Sequence, residues 1–160
     1  MNQDKRCSEV RYNRLLITGG SGFIGSEVCR LAALRGYQIL NIDLKQPAVS
    51  SHDAKWLQTD VRDVDSLRTV IEGFRPHFVI HLASDIDVNL RTLQEYETTI
   101  QGTRSIATIA RKSSELRRFI HVSTQYVVEP GTQPQGDKFY KPYTLYGKAK
   151  AESEKAIWAS

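Results

Sequence analysis

Short apolar runs alternate with amphipathic segments along most of the chain. Arg14-Leu15-Leu16-Ile17-Thr18 is a strand-length apolar run that stops at Gly19-Gly20. Phe23, Ile24, Val28, Leu31, Ala32 and Leu34 then recur at helical spacing until Gly36. A second strand is expected over 38–43, a polar loop over 45–53, and a weaker third strand over 54–60. Asp63 suits the N-cap of a helix running through Leu67, Val70 and Ile71 to Gly73. Residues 78–83 form the most apolar run, and a long helix over about 91–113 carries Tyr96, Ile100, Ile106 and Ile109 in register. A fifth strand over 119–123 precedes a Pro/Gly-bearing loop at 127–141, and Pro142 fits the first turn of a last helix to about Trp158.

Strands of this apolar character, separated by helices, imply a parallel sheet covered on both faces. Right-handed crossovers then give an α/β, doubly wound parallel sheet, with strand order 3-2-1-4-5 expected. No repeat or break in composition divides the chain. A polar tail, 1–13, is expected to precede one domain, 14–160.

Composition narrows the classes of function. The 160 residues are 40% hydrophobic and 25% charged, as in a soluble domain with a real core. No apolar run reaches the roughly 20 residues that span a bilayer, so no membrane is expected. The first 14 residues lack the apolar stretch of a secretory leader, which makes the cytoplasm the default compartment. The net charge is +4, but the basic residues are scattered without interleaved aromatics, so no nucleic-acid partner is expected. Cys7 in the tail and Cys29 on the apolar side of the first helix read as reduced thiols, and no metal site is expected.

Chemistry enters at Thr18-Gly19-Gly20-Ser21-Gly22-Phe23-Ile24-Gly25, where the first strand passes into the first helix. Gly19 permits the tight turn, Gly22 a close backbone approach to a pyrophosphate, and Gly25 tight packing of helix on strand. The helix start then offers free N–H groups and partial positive charge to phosphate. Asp43 ends the second strand 18 residues after Gly25, where a carboxylate can accept the hydroxyls of an adenosine ribose. It would repel a 2′-phosphate, so NAD is the expected cofactor in preference to NADP, with Lys45 tempering that preference. Near the other end, Tyr146 and Lys150 are four residues apart, a spacing that puts both on one helix face. An ammonium beside a tyrosine is expected to favour the phenolate and lower its pKa.

These motifs together resemble the extended short-chain dehydrogenase/reductase family, of the NAD-dependent sugar-nucleotide epimerase/dehydratase type, over nearly all of 14–158. Thr18 to Gly25 is similar to the family's TGGxGFIG loop, and Tyr146-Gly147-Lys148-Ala149-Lys150 to its YxxxK pair. Thr59-Asp60-Val61-Arg62-Asp63 resembles the adenine-contacting stretch, which implies Asp60 and the backbone of Val61 at the adenine. His81-Leu82-Ala83-Ser84 resembles the strand end that lines the cofactor, implying contacts from Leu82, Ala83 and Ser84. Cofactor contacts are likewise implied for Gly19, Gly22, Phe23, Ile24, Gly25, Asp43, Tyr146 and Lys150. The resemblance makes Tyr146, Lys150 and Thr124 the catalytic set, with Thr124 holding the substrate oxygen.

Three departures matter. Thr99 stands where the family's NxxGT motif has Asn, which puts one structural hydrogen bond in doubt. Gln125-Tyr126 replaces the Asp-Glu pair of the 4,6-dehydratase branch, which favours epimerisation or simple redox over dehydration. Family members are about twice as long, so the chain is expected to be the cofactor-binding part without its substrate domain. The expected activity is Tyr-Lys-Thr-assisted hydride transfer on a nucleotide sugar, in the complete protein. A reductase or dehydrogenase of a small carbonyl or steroid-type substrate is one alternative, and a non-catalytic NAD-binding module is another. The resemblance also implies a possible homodimer, joined through a bundle of the 91–113 and 143–158 helices.

Overall fold

The computed structural model describes residues 13–48 and 54–159. Nearly all of the expected tail, Cys7 included, and part of the 45–53 loop lie outside the described residues. Five parallel strands form one sheet in the order β3-β2-β1-β4-β5. They are β1 (Arg14–Thr18), β2 (Gln38–Asp43), β3 (Lys55–Gln58), β4 (Phe78–His81) and β5 (Arg118–His121). The α-helices are α1 (Phe23–Leu34), α2 (Val64–Phe74), α3 (Thr103–Arg111) and α4 (Leu145–Ala159).

Alternation along the strands sorts the core into two layers. Leu16, Leu40, Ile42 and Val79 face α2 and α3, packing on Leu67, Ile71, Ile106 and Ile109. Leu15, Ile17 and Ile39 face α1, packing on Cys29 and Ala32. The α1 layer does not extend across β5, where Ile120 is 44% exposed, or to Val122 just past it, 38% exposed.

Several boundaries differ from the sequence expectation. The long helix over 91–113 is broken into a 3-10 turn (Leu93–Tyr96), a π turn (Thr98–Gly102) and α3. The cause lies at Gly102, whose ideal Cβ would stand 3.3 Å from Val61 Cβ and closer still to Cγ2. The backbone presses there on Val61, in the segment between β3 and α2, and a local π turn accommodates the approach. Pro142 does not open α4. Thr144 does, with its Oγ1 accepting from Gly147 N–H at 2.9 Å. Gly73 lies within α2, which closes at Arg75 in the left-handed region (φ 52°). Asp63 caps α2 as expected, accepting from Ser66 N–H at 3.1 Å. The strands at 55–58, 78–81 and 118–121 are also shorter than expected, because their C-terminal residues turn out toward a cleft.

Candidate active site

The C-terminal ends of the strands open onto one cleft of about 680 Å³. Gly19, Gly22, Phe23, Ile24, Gly25, Asp43, Asp60, Val61, Leu82, Ala83, Ser84, Tyr146 and Lys150 all line it. The first helix begins at the floor of this cleft. Gly22 caps α1 without any side-chain hydrogen bond, and no acidic residue stands in the first turn. The helix-start N–H groups are therefore not taken by the chain's own carboxylates, which is the chemistry an anionic diphosphate requires. Phe23, 97% exposed, projects from the same turn.

Asp43 closes one end. Its Oδ2 accepts from Ser21 N–H at 3.0 Å and its Oδ1 from Lys45 N–H at 2.9 Å, which fixes the carboxylate against the glycine loop. Each oxygen keeps lone-pair capacity for a ribose hydroxyl. Asp60 beside it is engaged by Arg62, through N–H at 2.8 Å and the guanidinium at 2.7 Å, and this pairing lowers its pKa.

The other end holds Tyr146 and Lys150. Lys150 is 4% exposed and its Nζ donates to Val122 O at 2.7 Å. Burial pulls its pKa down to about 8, against an upward pull from Glu154. Tyr146 lies between Tyr96 and Tyr126, with ring centroids 6.2 and 6.1 Å away. Burial, and secondarily Tyr126, raise its pKa. The neighbouring ammonium therefore does not lower it as the sequence led one to expect. Lys150 donates to the backbone of Val122, one residue past β5, and burial governs the tyrosine.

One buried histidine, His81, and one half-buried, His121, support this end from below. Thr103 Oγ1 donates to Thr99 O at 2.6 Å, so His81 must donate from Nε2 to Thr103 Oγ1 (2.9 Å) and accept at Nδ1 from Thr18 Oγ1 (2.6 Å). Ser153 Oγ donates to Lys150 O at 2.7 Å, so His121 Nε2 donates to Ser153 Oγ at 3.1 Å. The rings stack at 5.4 Å, and burial, the largest cause for both, holds His81 well below its usual range and His121 at about 3. Both are neutral at physiological pH, and neither competes with the ammonium.

Thr124 does not join the cleft wall. Its Oγ1 accepts from Tyr126 N–H at 3.3 Å at the start of a 3-10 turn (Gln125–Val127), whereas Ser123 lines the cleft. Ser123, Asp85, Ile86 and Thr98 are lining residues that the sequence reading did not single out, and only the chain's path after β4 and β5 brings them in. Thr99, flagged as a departure, keeps its connections. It is 1% exposed, its Oγ1 accepts from Asp85 N–H at 2.9 Å, and its own N–H donates to Asp85 Oδ2 at 3.0 Å. A hydroxyl thus ties the loop after β4 to the π turn. Among the described residues no cluster of His, Cys, Asp or Glu could hold a metal ion, and no helix is long and apolar enough to cross a membrane.

A parallel sheet in the order 3-2-1-4-5, with a glycine loop feeding a helix N-terminus and an acid ending β2, defines a Rossmann-type dinucleotide-binding protein. A model of the NAD dependent epimerase/dehydratase family matches residues 15–160, and the chain belongs to that family. A probable dTDP-glucose 4,6-dehydratase of Sinorhizobium fredii is 29% identical over 164 residues, covering 88% of this chain and 47% of the relative. Methionine adenosyltransferase 2 subunit beta of Danio rerio is 28% identical, covering 91% of this chain and 44% of the relative. Among solved structures, Bordetella bronchiseptica WbmG in complex with NAD and UDP superimposes with a TM-score of 0.78 at 28% identity, over 94% of this chain and 50% of that one. The chain thus spans about half the length of the proteins it matches.

Proposed function

We propose that this chain is the NAD-binding half of a nucleotide-sugar epimerase or oxidoreductase. One observation carries the reading: a single cleft joins an uncapped helix N-terminus and a ribose-ready carboxylate at one end to Tyr146 and Lys150 at the other. The glycine loop and α1 would take the diphosphate, and Asp43 the adenosine ribose. Asp60 and Val61 would border the adenine, and Leu82, Ala83 and Ser84 the span toward the nicotinamide. NAD, when bound, would supply a hydride acceptor and a positive charge. Tyr146 would accept the proton of a substrate hydroxyl, and Lys150 would hold the nicotinamide ribose. A strand-end hydroxyl, from Thr124 or from Ser123 on the cleft wall, would orient the substrate oxygen.

Asp43 gives the direct test of the cofactor. Titration calorimetry is expected to show NAD binding more tightly than NADP, and Asp43→Ala to erase most of the difference by removing both the hydroxyl acceptor and the repelling charge. Equal or tighter NADP binding by the unaltered chain would overturn the assignment.

Two specific likenesses keep other readings open to assay. A dTDP-4-dehydrorhamnose reductase of Aggregatibacter actinomycetemcomitans is 28% identical over 90% of this chain, in line with a reductase. The similarity to a protein named as a subunit, methionine adenosyltransferase 2 subunit beta, is in line with a part of a larger assembly, and leaves the alternative of an NAD-binding module. Turnover of a nucleotide sugar without net consumption of NADH, assayed with the rest of the family's length present, separates both from the epimerase reading.

The outward faces of α3 and α4 expose Arg104 and Thr108, and Lys148 and Lys155. Trp158 is engaged within the chain, its Nε1 donating to Tyr140 OH at 3.1 Å beneath Lys138 Nζ at 4.6 Å. A helix-bundle homodimer would therefore be largely polar and salt-sensitive. Because Arg104, Lys148 and Lys155 are all cations, the faces repel at low ionic strength, and light scattering is expected to show monomer there and dimer in high salt. Monomer under both conditions would remove the dimer.

A further inference from the structure

We propose, resting on the reading above, that Glu154 is a positioning residue of the Tyr146–Lys150 centre, anchoring Ser123 at the cleft wall and keeping Lys150 charged. The residues concerned occupy successive turns of one helix face. Tyr146, Lys150 and Glu154 are spaced by four, so all three point toward the C-terminal end of β5. Lys150 reaches Val122 O, and Glu154 Oε1 accepts from the Ser123 hydroxyl, the next residue of the same strand end.

The problem Glu154 answers is a buried ammonium. Lys150 is almost wholly enclosed and, among the described residues, donates to a neutral carbonyl, that of Val122. A buried cation without compensation shifts toward its neutral form. The groups facing it are His81 from β4, His121 from β5, Tyr146 one turn back on α4 and Glu154 one turn on. Both histidines are held neutral, and the tyrosine is held protonated by its own burial. Glu154 is thus the anion that favours the charged lysine. Among the described residues no carboxylate lies at ion-pair distance from Lys150, so Glu154 acts through space.

Ser123 is what keeps that carboxylate close. A glutamate one turn along a helix is otherwise free to swing into water, where its field is screened. The hydrogen bond from Ser123 ties it to the segment that leaves β5, and Tyr140, whose pKa is raised by burial and then by Glu154, lies beside it. The bond also fixes the polarity of Ser123. With its proton committed to Glu154, its oxygen meets the cleft only as an acceptor.

The sign follows from the direction of the Lys150 shift. The lysine is charged below about pH 8 and neutral above. Removing the nearby negative charge should lower that midpoint, so the ammonium is lost at a less alkaline pH. The test follows Lys150 by NMR in the chain labelled with ¹³Cε-lysine, its signal assigned by its disappearance in Lys150→Met. Glu154→Gln is expected to lower the midpoint by about one pH unit, the scale on which a nearby opposite charge acts. Ser123→Ala, which frees the carboxylate without removing it, should give part of that shift. NAD affinity should fall about threefold in Glu154→Gln at pH 7.5 and be unchanged at pH 6, where Lys150 is charged in both proteins. A purely structural role would weaken binding equally at both pH values. An unmoved Lys150 midpoint in Glu154→Gln overturns the proposal. If that variant does not fold, unmoved midpoints in both Ser123→Ala and Glu154→Asp do so. Absence of NAD binding at every pH would refute the cofactor reading instead, leaving the lysine titration to decide the role of Glu154.

Discussion

Replacing Tyr146 with Phe is expected to cut nucleotide-sugar turnover by about 10²–10⁴-fold, the usual loss for a positioned proton-transfer group. The structure makes this a clean substitution. The ring packs on Tyr96 and Tyr126, and Phe keeps both contacts. The phenolic hydroxyl has no hydrogen-bond partner among the described residues, so its loss leaves no protein group unsatisfied. Melting temperature and NAD affinity should therefore stay close to those of the unaltered protein while kcat falls. The pH profile adds a second check. Tyr146 is held protonated by burial, which calls for higher pH, whereas Lys150 sheds its proton through about pH 8. Activity that needs the tyrosine deprotonated and the lysine charged should rise and then fall with pH, and the Phe variant should lose the rising limb. More than about a tenth of the activity left in Tyr146→Phe would show that this hydroxyl is not the proton acceptor.

The strand order and the cleft-lining set were legible because each rests on a local pattern. Period-two alternation in β1, β2 and β4 divides Leu15 from Leu16 and places them in opposite layers. The glycine loop and Asp43 are read from spacing alone, since β1 and β2 are adjacent and in register from Arg14 with Gln38 to Thr18 with Ile42. What sequence could not give depends on contacts between distant segments. The π turn in the 91–113 segment answers to Val61, about forty positions earlier in the chain. The choice of Ser123 over Thr124 at the cleft wall is set by how the backbone leaves β5 for its 3-10 turn, with no periodic signal to announce it. The direction of the Tyr146 shift depends on burial and secondarily on Tyr126, both tertiary facts. Family likeness supplied the roles of Tyr146 and Lys150, whose spacing by itself says only that they share a helix face.

The largest effect on cofactor binding is expected from one methyl group at Gly25. An ideal Cβ there would lie 2.6 Å from Gly20 Cα and 2.9 Å from Gly19 C, with the Gly19 carbonyl oxygen closer still. All three atoms are backbone, in a turn that Gly19 holds at φ +71° against Ala83 N. No flexible side chain can yield, so α1 must move off β1 or the loop must open. Overpacking of this kind costs about 1–3 kcal/mol, which for a domain of this size lowers Tm by roughly 2–12 °C. Binding should suffer more than stability. The N–H groups at the start of α1 are directed by that turn, and a displacement of about an ångström removes the geometry that lets them meet a diphosphate together. Gly25→Ala is therefore expected to weaken NAD by more than about a hundredfold, near 3 kcal/mol. Gly73→Ala is the matched control. A Cβ there meets nothing within 4 Å, and the position lies inside α2, where alanine is the better helix former. That variant should melt slightly higher and bind NAD as before. Calorimetry and thermal melts on the pair separate the two effects. If Gly25→Ala bound NAD within about tenfold of the unaltered chain, near 1.4 kcal/mol, the diphosphate could not sit on the start of α1. The cofactor would then have to enter the cleft in another orientation.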